Sequence, residues 1–341
     1  MGYELYEDSI VKEKENDPGE RFSPYCDFVF YRSTVDPELR LAMKVIKPEK
    51  PGYILVTTHG WHGSISDFEY MDRPVSGNDY LMIEVDMRGR AFSQGKQDCN
   101  GWELYDIIDA VNVVRKRYSR YILDPGIVHF EGGSGSGGNA YALACKFPDF
   151  FASINVLCGI SDYEAWYRND QTGEFRDEMD VWIGFGPDEN ISGYRARSGA
   201  YLIQNIITPM TIFHGETDIR VPVFHARLFV QKAKEAGKYD LVSFFELKGV
   251  GTRKHWGNAT AGQMEDMARV CEDNRKSNSS VLNIPEKGIM AVGGYLITKR
   301  FSVILDSLDK FAFVEYDLRK GYYRLSCDEN CSYELNITKD Q

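Results

Sequence analysis

Apolar positions along the chain fall into two rhythms that take turns. Short aliphatic runs at 53–60 ("YILVTTHG"), 80–89 ("YLMIEVDMRG"), 126–131 ("GIVHFE"), 151–159 ("FASINVLCG"), 210–215 ("MTIFHG") and 240–247 ("DLVSFFEL") read as buried strands. Between them lie stretches with helical spacing. In 102–118, Leu104, Ile107, Ile108, Val111 and Val114 make one apolar face, and 139–147 is helical until Pro148 and Asp149 stop it. Residues 226–237 form another helix closed by Gly237, and 261–276 a last one. Strand–helix alternation of this length predicts an α/β domain whose sheet is mostly parallel and covered on both faces.

Three regions depart from the alternation. The first 20 or so residues are polar and read as an extended lead-in, followed by a hairpin over 26–48 that turns at Asp36 and Pro37. Residues 160–207 are irregular and rich in Trp, Tyr, Asp and Arg, which suits a lid or insertion over the sheet. From 281 onward, period-two runs such as "FSVIL", "FAFVEYDL" and "YYRLS" predict a small antiparallel β element. The expected organisation is a main domain over 1–280 and a β-rich accessory domain over 281–341.

Charge narrows the partners. A formal net charge of −11 argues against nucleic acid or an anionic membrane surface. No apolar run is long enough to span a bilayer, and "MGYELYEDSIVKEKEND" has neither a basic n-region nor an apolar core, so a cytoplasmic location is expected. Of seven cysteines only Cys327 and Cys331 lie close together, with no second pair, so no zinc site is expected.

The chemistry concentrates in "FEGGSGSGGNA" at 130–140. Gly133, Gly135 and Gly138 fit the G-x-G-x-x-G of a dinucleotide-binding turn, with Asp162 beyond the next strand as a ribose-binding acid. Against that reading, at least two strands of the same sheet precede the motif, which ordinarily opens its unit. The other reading is a nucleophile on a sharp strand-to-helix turn, where small neighbours relieve crowding and helix N-terminal N–H groups face developing negative charge. A possible acid and base follow in the right order. Asp218 lies in the turn of "IFHGETDIRVPV", and His255 in the loop "KGVGTRKHWGN", each just past a strand.

Several motifs in register carry a family resemblance over roughly 53–260. "THGWHGS" resembles an oxyanion-loop HG motif, and "VDMRGRAFSQG" a D-x-R-G-x-G-x-S turn with Ala91 at its second glycine. "DPGIVHFEGGSGSGG" resembles a D-P-x-x-I approach to a nucleophile elbow, and "TPMTIFHGETDIRVPV" the strand and turn that carry the acid. Together they resemble the prolyl oligopeptidase-like serine hydrolases and esterases. The resemblance implies an α/β-hydrolase fold with a Ser-Asp-His triad, an acyl-enzyme intermediate and no cofactor or metal.

Strict G-x-S-x-G fails for both Ser134 and Ser136. In the family pattern the nucleophile falls ten residues after the Asp of the D-P turn, and the Pro ending the next helix fourteen residues later; from Asp124 these give Ser134 and Pro148. The implied roles are Ser134 as nucleophile, His255 as base and Asp218 as its orienting acid, with Asp162 as a back-up acid. The backbone N–H groups of Gly135 and Trp61 would hold the oxyanion. His62 is placed to reach the pocket mouth, while Trp166, Tyr167 and Trp182 either line a substrate cleft or pack the lid. Arg88 and Arg90 are expected to brace their turn, and His59 and His214 to hold loops.

Peptidases of this family carry a large propeller that admits only short peptides, and only 58 residues precede His59. On that ground a carboxylic ester, of an acyl group or a carbohydrate, is the first expected substrate, and a short peptide or aminoacyl compound the second. A non-catalytic binding protein on a hydrolase scaffold is the third reading. The C-terminal β element is a candidate surface for self-association.

Overall fold

The computed structural model describes residues 19–170, 173–327 and 331–338; the lead-in before residue 19 lies outside them. Nine strands form the main sheet: β1 (Arg21–Phe22), β2 (Cys26–Arg32), β3 (Arg40–Ile46), β4 (Tyr53–Thr58), β5 (Tyr80–Val85), β6 (Val128–Gly133), β7 (Ser153–Leu157), β8 (Met210–Gly215) and β9 (Val242–Leu247). Their order is β1-β2-β3-β5-β4-β6-β7-β8-β9. The pairings from β1 through β3 to β5 are antiparallel, and all the others are parallel.

Among the described residues, seven α-helices accompany the strands: α1 (Glu103–Arg117), α2 (Gly135–Lys146), α3 (Tyr163–Arg168), α4 (Arg176–Met179), α5 (Ile191–Arg197), α6 (Phe224–Glu235) and α7 (Ala261–Ser277). The two faces of the sheet can be told apart by the strand period of two. Ile212 of β8 packs into the cluster that holds Phe229 of α6, whereas its neighbour Phe213 packs on Met267 and Cys271 of α7. Cover on both sides explains why β8 is buried at every position, so that its sequence shows an apolar run rather than alternation.

The chain leaves β4 toward β5 and then leaves β6 in the opposite direction. That reversal opens a crevice at the carboxyl ends of β4 and β6, where open α/β sheets place their sites. The irregular stretch after β7 becomes three short helices, α3 to α5, and a turn of π-helix over Asp180–Gly184, gathered above this crevice. Their aromatic residues form a separate cluster with Trp61.

The second sheet contains β10 (Lys287–Gly293), β11 (Tyr295–Ile297), β12 (Phe301–Leu305), β13 (Phe311–Asp317), β14 (Tyr322–Cys327) and β15 (Tyr333–Ile337), in the order β14-β13-β10-β11-β12-β15 and antiparallel throughout. It curls, because Leu325 and Leu335 from its two edge strands pack against the same inner cluster. It also leans on the main sheet's helices. Tyr295 stacks on Trp102 at 5.0 Å and donates to the Gly101 carbonyl, and Lys146 at the end of α2 donates to the Gly293 carbonyl at 2.6 Å. No described helix is long and apolar enough to cross a membrane.

Candidate active site

β6 passes into α2 through one residue. Ser134 has φ 57° and ψ −119°, a conformation that a side-chain-bearing residue holds only when its surroundings enforce it. The enforcement comes from close approaches that glycine permits. A Cβ on Gly132 would lie 2.3 Å from the Ser136 carbonyl oxygen, and one on Gly135 would lie 2.5 Å from the Trp61 nitrogen. A dinucleotide turn is disfavoured as well, since the Trp61 backbone lies against Gly135 and the Tyr163 hydroxyl against Gly138, two glycines of that motif. Asp162, the acid of that reading, instead caps α3 by accepting from the Ala165 N–H at 3.1 Å.

The two serines of the bend face different partners. Ser136 is buried, accepts from the Thr58 N–H at 3.3 Å and lies 2.6 Å from Thr58 Oγ1. Ser134 Oγ lies 2.9 Å from His255 Nε2, and His255 Nδ1 donates to Asp218 Oδ2 at 2.6 Å. Since a carboxylate only accepts, the proton sits on Nδ1 and leaves Nε2 free to take one from the serine.

Asp218 is buried, and its other oxygen accepts the N–H groups of Arg220 and Val221 at 3.0 and 3.1 Å. The two loops are laced together. Thr217 donates its hydroxyl to the Gly251 carbonyl at 2.7 Å, and the Thr217 N–H donates to the Val250 carbonyl at 2.9 Å.

Cys158 completes the back of this group, its sulfur within 4.8 Å of the Asp218 and His255 donor atoms. Burial pushes the pKa of the Cys158 thiol up. Both imidazole nitrogens are already committed to hydrogen-bond partners. The arrangement therefore suits proton transfer better than metal binding.

Trp61 lies just past β4. Its backbone packs directly against Gly135, the residue that follows Ser134. Its carbonyl accepts from the Arg90 guanidinium, and its indole Nε1 donates to Glu178. Glu178 also lies 2.9 Å from His62 Nε2, and His62 stacks on Phe175 at 5.5 Å.

The other predicted positions divide. Trp166 is buried and donates its indole N–H to the Arg220 carbonyl at 2.7 Å; Trp182 is buried with its ring 4.7 Å from that of Trp61. Tyr167 is part-buried, its hydroxyl 3.4 Å from Asp180 Oδ2. His59 Nε2 accepts from the Met87 N–H at 3.1 Å, and His214 donates to the Val221 carbonyl at 2.7 Å, both holding loops. Arg88 pairs with Asp106 at 2.6 Å. Thr58, Cys158 and Glu178 carried no signal in the sequence, because each acts through a partner distant along the chain.

Comparison with known proteins identifies the family. The model of the prolyl oligopeptidase family matches residues 67–271, more than half of the chain. The chain belongs to the prolyl oligopeptidase family. With that family it shares the α/β-hydrolase fold and membership of the serine hydrolases. No curated protein sequence matches it.

Among solved structures, the acylaminoacyl peptidase of Pyrococcus horikoshii is 19% identical with a TM-score of 0.61, over 80% of this chain and 44% of that one. A puromycin-hydrolyzing peptidase of Mycobacterium tuberculosis is 17% identical with a TM-score of 0.59, over 75% of this chain and 40% of that one. Dipeptidyl peptidase 4 of Porphyromonas gingivalis is 18% identical with a TM-score of 0.55, over 75% and 36%. The chain thus spans less than half the length of these structures, and at such identities they share its fold.

Proposed function

We propose that this chain hydrolyses aminoacyl or short-peptide bonds through an acyl-enzyme formed on Ser134. The observation that carries the reading is the continuous hydrogen-bonded line from Asp218 through His255 to Ser134, beside the amides of Trp61 and Gly135. Ser134 Oγ attacks the carbonyl carbon while His255 Nε2 takes its proton, and Asp218 holds the imidazole in the required tautomer. The carbonyl oxygen becomes an oxyanion held by the two N–H groups, each worth about 10²–10³ in turnover. His255 then returns the proton to the departing amine or alcohol. Water, deprotonated by the same imidazole, releases the acid product.

The substrate order reverses the one expected from sequence. Amide substrates come first because the structural neighbours are an acylaminoacyl peptidase, a puromycin-hydrolyzing peptidase and a dipeptidyl peptidase. Residues 1–280 would carry the catalysis, with 281–341 as an accessory unit. The test is a panel of aminoacyl and short peptidyl anilides against short acyl esters of matched size. The anilides should be cleaved with a kcat/KM that Ser134→Ala abolishes. Turnover confined to the acyl esters would return the assignment to a carboxylic esterase.

A further inference from the structure

The aromatic cluster under the lid has an unusual occupant. Ile160, Tyr163, Trp166, Phe175, Trp182 and Val221 form a box at the carboxyl end of the sheet, and the residue filling it is Trp61. Its indole lies 4.8 Å from the ring of Trp166, 4.7 Å from Trp182, 6.1 Å from Tyr163 and 6.2 Å from Phe175. The indole is fixed at its polar end by Glu178, and the peptide behind it by Arg90, which also lies over the Trp182 ring at 4.9 Å. What remains open between Trp61, Gly135, Tyr163 and Trp182 is a cavity of about 30 Å³, which Arg90 and Glu103 also line. That is room for about one or two waters.

The geometry of acyl transfer says what this box faces. The carbonyl oxygen must sit between the amides of Trp61 and Gly135, and the leaving group must face His255 to receive its proton. The remaining substituent on the carbonyl carbon turns away from His255, toward the side on which the Trp61 indole lies; the small cavity there touches Gly60, Trp61 and Gly135 but neither Ser134 nor His255.

We propose that the Trp61 indole occupies the pocket for the side chain next to the scissile carbonyl, so that the enzyme takes glycyl, alanyl or similarly small acyl groups and rejects large apolar ones. This rests on the hydrolase reading of Ser134. Trp61 then has two separate parts, a backbone N–H that faces the oxyanion and a side chain that sets acyl size. Removing the side chain leaves the N–H in place and exposes an aromatic box suited to a phenyl ring.

The experiment compares glycyl, alanyl, leucyl and phenylalanyl p-nitroanilides, each also as its N-acetyl form, on the wild type and on Trp61→Ala. Fluorophosphonate labelling is followed in parallel, because it reports the nucleophile whatever the acyl preference. In the wild type, kcat/KM should fall by roughly 10–200-fold from alanyl to phenylalanyl, the span that pocket size commands. In Trp61→Ala the order should invert. Trp61→Phe, which keeps an aromatic ring and so protects the cluster, should be intermediate. A wild type that labels on Ser134 yet prefers phenylalanyl, or a Trp61→Ala protein that labels and keeps the wild-type ranking, overturns the proposal and leaves the hydrolase reading standing. Absence of labelling in the wild type overturns both.

Discussion

Ser134 and Ser136 lie two places apart on one bend, yet only one hydroxyl meets a base. Ser136 is tied to Thr58 between β4 and α2, whereas Ser134 points to His255. Ser134→Ala should therefore lose about 10⁶-fold in turnover, the effect of removing a nucleophile that works as one unit with its base. Ser136→Ala should keep turnover within about tenfold and lose about 1 kcal/mol of stability, the worth of one buried hydrogen bond. Steady-state rates and urea midpoints on both variants check this, and a reversed pattern would put the nucleophile at 136. At this scale the sequence was informative where spacing is local. The resemblance to the family pattern, counted from Asp124, implies Ser134, and turns after strands point to Asp218 and His255. It was silent on Glu178, an acid in an unpatterned insertion whose partners, Trp61 and His62, lie more than a hundred residues earlier.

At the scale of elements, helix α2 shows why the bend is so rich in glycine. The apolar pattern marks a helix from Asn139, but the observed helix begins at Gly135. Its first turn has no apolar periodicity because its glycines pack against neighbouring backbone and a tyrosine hydroxyl. Glycines at 135, 137 and 138 let Trp61, Gly159 and the Tyr163 hydroxyl approach closely. Gly135→Ala should push the Trp61 amide aside and lower turnover by about 10²–10³, while circular dichroism stays native and Ser134 remains in place. An unchanged rate would mean that Trp61 takes no part in holding the oxyanion. The strands were legible because parallel strands covered on both faces are continuous apolar runs. The short helices α3 to α5 were not, since four to seven residues are too few to display a period.

For the whole molecule, the decisive contact is the one between α2 and the second sheet. Lys146 is fully buried, donates to the Gly293 carbonyl at 2.6 Å and lies 4.4 Å from the centre of the Tyr295 ring. Burial pulls its pKa down from 10.5 to about 7, reinforced by Arg197 and opposed by Asp98, Cys145 and Asp309. A lysine whose folded value is lowered binds fewer protons folded than unfolded between those two values, so its contribution to stability rises with pH across that window. Below about pH 7 the cost of burying the charge is felt in full. Lys146→Met should remove that rise. Urea midpoints at pH 6 to 9 should climb for the wild type relative to the variant, and parallel curves would refute the assignment. Sequence patterning located the second sheet but could not show it seated on α1 and α2, because contacts such as Tyr295 with Trp102 join residues nearly two hundred positions apart.

The central claim is that one serine on the bend is the nucleophile of a hydrolase. Fluorophosphonate labelling of the full chain, followed by peptide mapping, tests it most directly. The account predicts a single adduct on Ser134 that His255→Ala suppresses and Ser136→Ala spares. An adduct on Ser136, or no adduct on an intact, folded protein, would contradict it.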